Sequence, residues 1–279
     1  MKKASVFLVV LMAVLMVFNI TGCRELTAEE MIAKANDSIN KAASMDVKMK
    51  VDINMQLGGT DQSIETEIET SMFTDPLKIK EITKMGGQTL LETYAEKVGD
   101  KIILYIGMGD QWEKDEMSVE GFNAESSGNY QENAEMYLES MQSFEAAEET
   151  ETVNGVETVK ITGKITGEDI KKVIEASGSL EGIDEMAGGD EALGSLLNDV
   201  YNNMGDIAIA VWLDQKTYAP VRFEIDMTEC ISSLFTAIFA NMGITEDMIK
   251  VNSAVSKMDI SNINSAAEFE IPEAAKNAK

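Results

Sequence analysis

Residues 47–57 read Val-Lys-Met-Lys-Val-Asp-Ile-Asn-Met-Gln-Leu, with apolar side chains at the odd-numbered positions and polar side chains at the even-numbered ones. Successive side chains of a β-strand point to opposite faces, so this alternation is typical of a strand with one apolar face. Residues 64–72 repeat the pattern after Gly-Gly-Thr-Asp at residues 58–61, with the apolar and threonine side chains at even positions. The two stretches predict an antiparallel hairpin that buries one of its faces.

The position of the apolar residues limits the register of this hairpin. Each cross-strand pair must join an odd-numbered residue to an even-numbered one, because only then do all apolar side chains share one face. We predict the register that places Lys50 opposite Glu69 and leaves residues 58–61 as a four-residue loop.

Outward from this hairpin, closely spaced strand patterns with glycine-rich turns predict an antiparallel meander. Further strands are predicted at residues 77–85, 89–95, 101–106, 111–114, 153–165 (folded at 154–155), 207–213, 221–228, 250–260 (with a bulge) and 269–272. Helical periodicity predicts helices at residues 28–43, 130–149, 166–174, 193–204 and 228–240. The glycine-rich, acidic residues 177–189 are expected to be mobile.

The N-terminal residues have the pattern of an export signal. Lys2 and Lys3 precede an apolar run at residues 6–18, as in a secretory signal peptide. Residues 20–23, Ile-Thr-Gly-Cys, resemble the lipobox of bacterial lipoproteins, in which the signal is cut before the cysteine and the thiol carries a diacylglyceryl group. The resemblance implies a signal peptide at residues 1–22, a short lipidated tether at residues 23–26 and lipid attachment at Cys23.

Residues 27–279 are expected to form a single domain. Thr27 and Glu30 predict a capping box at the start of the first helix, so only three residues separate that helix from Cys23. The alternative to lipidation is an ordinary secretory peptide cut nearby. Cys23 would then be a spare thiol, or would pair with Cys230, since the chain has 2 cysteines.

The composition argues against several classes of function. With 49 acidic and 23 basic residues, the formal net charge of −26 repels the phosphates of nucleic acids and anionic headgroups, which excludes nucleic acid as a partner. The absence of histidine removes the commonest general base and the commonest zinc ligand. The Ser-x-x-Lys spacing of Ser38 and Lys41, and the acidic cluster at residues 145–151, are interpreted as solvated polar faces. We predict no enzyme activity, no catalytic residue, no metal site and no cofactor.

A longer pattern lies at residues 210–221, Ala-Val-Trp-Leu-Asp-Gln-Lys-Thr-Tyr-Ala-Pro-Val. A hydrophobic strand ending in Trp-aliphatic-Asp, a Lys-Thr turn and then aromatic-x-Pro-aliphatic resembles the late hairpin of the LolA/LppX-like lipoprotein carriers, and is similar to a branch of them in Gram-positive bacteria. The resemblance implies an α+β fold, in which a curved antiparallel sheet forms a half-open barrel and helices cover its concave face. It also implies an apolar cavity, since characterised members bind acyl chains or lipoproteins.

The predicted ligand site combines the apolar helix at residues 228–240 with the strand hairpin before it. Its predicted residues are Leu234, Phe235, Ile238 and Phe239 on the helix and Ile209, Val211, Phe223 and Ile225 on the strands. The 19 methionines have two interpretations: they form an adaptable binding surface, or they fill gaps in a soft core.

Two functions follow, and both place the protein at the extracytoplasmic face of the cell membrane, anchored through Cys23. The leading one is a binding protein for a lipid or another long apolar ligand. The alternative is a sensor or adaptor that uses the same fold to contact an envelope protein, without a ligand. A hydrolase ranks far below both, because no nucleophile is activated.

Overall fold

The computed structural model describes residues 26–119, 122, 130–176, 205–241 and 248–278, except for the side chains of residues 130–134, 173–176, 237, 238, 240 and 241. The described strands are β1 (Ser44–Leu57), β2 (Thr60–Thr74), β3 (Leu77–Met85), β4 (Gln88–Val98), β5 (Lys101–Met108), β6 (Gln111–Ser118), β7 (Met141–Val153), β8 (Val156–Ile165), β9 (Ile207–Asp214), β10 (Pro220–Asp226) and β11 (Ile249–Ser261). The described helices are α1 (Ala28–Asn40), α2 (Tyr130–Ser140), α3 (Gly167–Ala176), α4 (Thr228–Asn241) and α5 (Glu273–Lys276).

All eleven strands belong to one antiparallel sheet, in the order β6-β5-β4-β3-β2-β1-β11-β10-β9-β8-β7. The pairing of β1 with β11 joins the two halves of the chain, while β6 and β7 remain as edge strands and leave the barrel open. The predicted α+β fold, with helices and a large antiparallel sheet that does not close, is confirmed.

The main hydrophobic core lies between α1, α2 and α3 and one face of the sheet, which we call the inner face. Its strand residues come from the alternating positions, among them Val47, Met72, Phe223 and Met258. The opposite, outer face of β1 and β2 carries the charged positions, such as Lys48 and Glu69.

In the first hairpin, the predicted pairing of odd-numbered with even-numbered residues is confirmed, but the predicted register is wrong. Lys50 lies opposite Glu67, and Glu69 lies opposite Lys48. The reason is the turn: Gly58 and Gly59 have φ of 57° and 78°, so the two residues alone close it. Tight hairpin turns require positive φ at both central residues, which glycine adopts without a steric cost.

The capping box of α1 is confirmed. The hydroxyl of Thr27 accepts from the amide of Glu30, whose carboxylate accepts in turn from the amide of Thr27. The helix itself ends at Asn40, three residues before the predicted end.

The predicted helix at residues 130–149 is too long. It ends at Ser140, and Met141 begins β7, which pairs with β8. The apolar spacing up to Phe144 fits a helix, but pairing satisfies the backbone groups at the edge of β8, and Met141 is buried there.

Residues 269–272 do not form the predicted closing strand. Phe269 instead packs against Phe73 and Tyr94 on the outer face, with ring centroids 6.1 and 6.0 Å away. Side chains therefore fix this segment, and Pro272 has no backbone N–H to donate to a sheet. The predicted signal peptide, the residues of the tether before Leu26, the mobile segment at 177–189 and the helix at 193–204 lie outside the described residues.

Candidate ligand-binding face

The inner face is where helices and sheet meet, and α1 supplies the central contact. Ile32, Ala35 and Ile39 recur at helical spacing and are buried against the sheet. Asn40 of α1 donates to Glu135 of α2 at 2.7 Å, which holds the two helices side by side. Leu138 of α2 is buried in the same core.

The four predicted strand residues lie inside this core. Val211 pairs with Phe223 and Ile209 pairs with Ile225 across β9 and β10. None of the four exposes more than 8% of its surface. They belong to the core that α1 and α2 cover.

The predicted helix residues lie apart from them, on α4 beside β11. Helix α4 packs on β11, and Thr228 at its start accepts from the amide of Ala254 at 3.0 Å. Phe235 and Phe239 make an edge-to-face contact with centroids 6.1 Å apart, and both are half-buried, as is Leu234. The side chain of Ile238 lies outside the described residues.

A further set of apolar residues, which sequence reasoning did not assign to the site, lies on β1 and β2, on the other side of β11 from the four strand residues. We call it the apolar strip, and its residues are Val51, Ile53, Leu57, Ile64 and Ile68. Ile53 lies opposite both Ala254 of β11 and Ile64 of β2, which puts the strip on the inner face. Leu57 and Ile64 expose 40% and 39% of their surface. The alternation of residues 47–72 marks these positions as inward-facing, but only the structure shows that some of them stay accessible.

Methionine occurs both in the core and at the surface. Met45, Met72 and Met258 are buried in the core, where a flexible side chain fills irregular space. Met85, at the end of β3 on the inner face, exposes 48% of its surface.

The outer face is charged and internally paired. Lys48 contacts Glu67 at 2.8 Å and Glu69 at 3.3 Å, and Lys84 contacts the same two carboxylates. The hydrogen bond from Lys48 is the main cause that lowers the pKa of Glu67 to about 2. Arg222 contacts Asp259 at 2.5 Å farther along the same face. These paired charges do not complement an apolar ligand.

A pocket of about 260 Å³ opens on this outer face. Its lining residues are Asp46, Val47, Lys48, Glu69, Thr70, Ser71, Lys80, Ile82 and Ser261. Most of these side chains are polar or charged, so the pocket differs in chemistry from the apolar strip on the inner face.

In the described part of the chain, no three His, Cys, Asp or Glu side chains lie together so as to hold a metal ion. None of the helices described is long and apolar enough to cross a membrane. Burial raises the pKa of the Cys230 thiol, which keeps it protonated and a weak nucleophile.

Several solved structures are similar to this chain. The lipoprotein LppX of Mycobacterium tuberculosis is 16% identical, with a TM-score of 0.48, and the match covers 87% of this chain and 98% of that one. LprF of Mycobacterium bovis is 14% identical, with a TM-score of 0.41 and coverage of 89% and 97%. A putative outer membrane lipoprotein-sorting protein domain of Vibrio parahaemolyticus is 11% identical, with a TM-score of 0.28 and coverage of 90% and 98%.

The predicted resemblance to LolA/LppX-like lipoproteins is thus found among solved structures as well, although they do not bear on the predicted Gram-positive branch. No curated protein matches the sequence significantly. Residues 27–279 match a family of unknown function, DUF6612. Since that match spans most of the 279 residues, the chain belongs to the DUF6612 family.

Proposed function

We propose that this protein is an extracytoplasmic lipoprotein, anchored to the cell membrane through Cys23, that binds a lipid or another long apolar ligand on the inner face of its sheet. The observation that carries the proposal is the apolar strip. The core under α1 and α2 accounts for Val47 and its neighbours, yet the inner face continues as apolar surface to Ile64 and Leu57. Accessible apolar surface that adjoins a core is typical of sites for apolar ligands.

The apolar strip is long and narrow, as a binding surface for an extended acyl chain would be. It follows β1 and β2 from the buried core to their shared turn, and α4 lies beside it on β11. Phe235 and Phe239 are only half-buried there, so their rings can contact a ligand that lies along the strip. The predicted residues of α4 thus retain a place in the proposed site, while the four strand residues belong to the covered core and not to the strip.

A charged residue in the strip tests the proposal. We expect Ile64→Asp to weaken binding of a fluorescent 16-carbon acyl probe about tenfold or more, because a carboxylate must lose hydration beside the chain. Stability should change little, since Ile64 exposes 39% of its surface. The measurement is a fluorescence titration of each purified protein.

Ser63→Asp is the matched control, because Ser63 is the preceding residue of β2 and points to the outer face. Equal affinity of the two variants would show that the strip is not the site. If the wild-type protein binds no acyl probe at all, the carrier proposal fails and the adaptor function takes its place.

A further inference from the structure

A row of polar side chains crosses the mainly apolar inner face. Thr70 of β2 lies opposite Glu81 of β3, and Glu81 lies opposite Thr93 of β4. Directly opposed residues of an antiparallel sheet share a face, and their side chains come within contact distance. Val47 and Ile106 continue the row on either side, which places all five residues on the inner face.

The neighbouring rows on this face are more apolar. One contains Met72, Ile79 and Ala95, and the other contains Ile68 and Leu91 together with Thr83. Ile68 and Ile79 pack against the main core. The polar row therefore interrupts the apolar surface near the inner end of the apolar strip, where one end of an extended ligand would lie.

At least one side chain of the polar row, that of Thr70, lacks a hydrogen bond to any described residue. It exposes 3% of its surface, and its hydroxyl has no hydrogen-bond partner in the part of the chain that the structure describes. A buried hydroxyl without a partner is unfavourable, and natural cores rarely retain one without a reason. Valine has nearly the same shape and would fill the position without that disadvantage.

We infer that Thr70, Glu81 and Thr93 form a headgroup subsite, which selects apolar ligands that carry hydroxyl or other hydrogen-bond donor groups over free fatty acids. The inference rests on the proposed function, since it concerns one end of the same ligand. A glutamate carboxylate accepts hydrogen bonds and donates none, so at position 81 it favours donor groups on a ligand and disfavours a ligand carboxylate. The hydroxyls of Thr70 and Thr93 can accept or donate, and they suit a ligand with more than one hydroxyl.

Two ligands with the same 16-carbon acyl chain test the inference: 1-monopalmitoylglycerol, which ends in two hydroxyls, and palmitate, which ends in a carboxylate. We expect the wild-type protein to bind the glyceride at least tenfold more tightly. Glu81→Gln removes the negative charge and should reduce that ratio to about threefold or less, mainly by tightening palmitate binding. Thr70→Val should weaken binding of the glyceride and leave palmitate binding nearly unchanged.

Glu92→Gln is the matched control. Glu92 is the residue before Thr93, half-buried like Glu81, but it points to the outer face, where it accepts from the Tyr94 hydroxyl at 3.4 Å. The Glu92→Gln variant should keep the wild-type ratio of affinities for the glyceride and palmitate. Equal binding of the two ligands by the wild type, or a ratio that Glu81→Gln does not change, would overturn the headgroup subsite and leave the proposed function standing. Failure to bind either ligand would overturn the proposed function as well.

Discussion

At the scale of single residues, Glu67 is central to the charged outer face. It contacts Lys48 at 2.8 Å and Lys84 at 3.3 Å, and its pKa falls to about 2 from an ordinary value of 4.5. A carboxyl whose pKa is lower in the folded state stabilises the fold above the unfolded pKa. That contribution is lost as the pH falls from about 4.5 to about 2.

We therefore expect the carboxyl carbon of Glu67 to titrate with a midpoint of about 2 in ¹³C NMR. Glu67→Gln should lower the free energy of unfolding at pH 7 by about 1 kcal/mol or less, because the lysine partners remain partly in solvent. A midpoint at 4 or above would contradict the ion-pair geometry on this face.

Residue type alone could not identify the whole candidate site. The alternation of residues 47–72 gives the inward-facing set, and within that set Val47 is buried while Ile64 is exposed. The difference depends on which other elements pack over each position, which is a tertiary property. Glu81 and Thr93 fall on the inner face because of the registers of β3 and β4, and the sequence alone leaves such registers open.

At the scale of elements, the sequence patterns predicted most of the described helices and strands, but their ends less accurately. The pairing of odd-numbered with even-numbered residues in the first hairpin was predictable, because side chains of a strand alternate between its two faces. Its exact register depends on whether two or four residues form the turn, and apolar alternation does not report that. The same limit applies at Ser140, where a helical stripe continues into the residues of β7.

The start of β7 depends on one close approach. A Cβ on Gly163 of β8 would lie 2.7 Å from the Met141 methyl carbon and 2.8 Å from the Gln142 carbonyl oxygen. We expect Gly163→Ala to lower the free energy of unfolding by about 1 to 3 kcal/mol, because the backbone of β7 must move away. Urea denaturation measures the change.

The control for that variant is Gly205→Ala, since a Cβ at Gly205 would meet no atom within 4 Å and its φ is not positive. The free energy of unfolding of Gly205→Ala should stay within about 0.5 kcal/mol of the wild-type value. Equal stability of the two variants would show that β7 does not pack against Gly163 as described.

At the scale of the whole molecule, the sheet separates two surfaces with different chemistry. Charges are paired on the outer face, and the C-terminal residues Phe269 and Ile271 pack there on Tyr94 and its neighbours. The inner face carries α1, α2 and α3, the apolar strip and the polar row. The sequence predicted this division between the faces, but not the position of α4 over β11, because an apolar helical stripe identifies a buried face without naming its partner.

The most direct test of lipid binding is native mass spectrometry of the full-length protein purified from its own membrane. We expect a non-covalently bound apolar molecule that organic extraction releases, in addition to a covalent diacylglyceryl group on a chain that begins at Cys23. Thin-layer chromatography of the extract should show a ligand with hydroxyl groups on an acyl chain. Protein that carries the covalent lipid but releases no apolar molecule, and takes up none when one is supplied, would contradict the account.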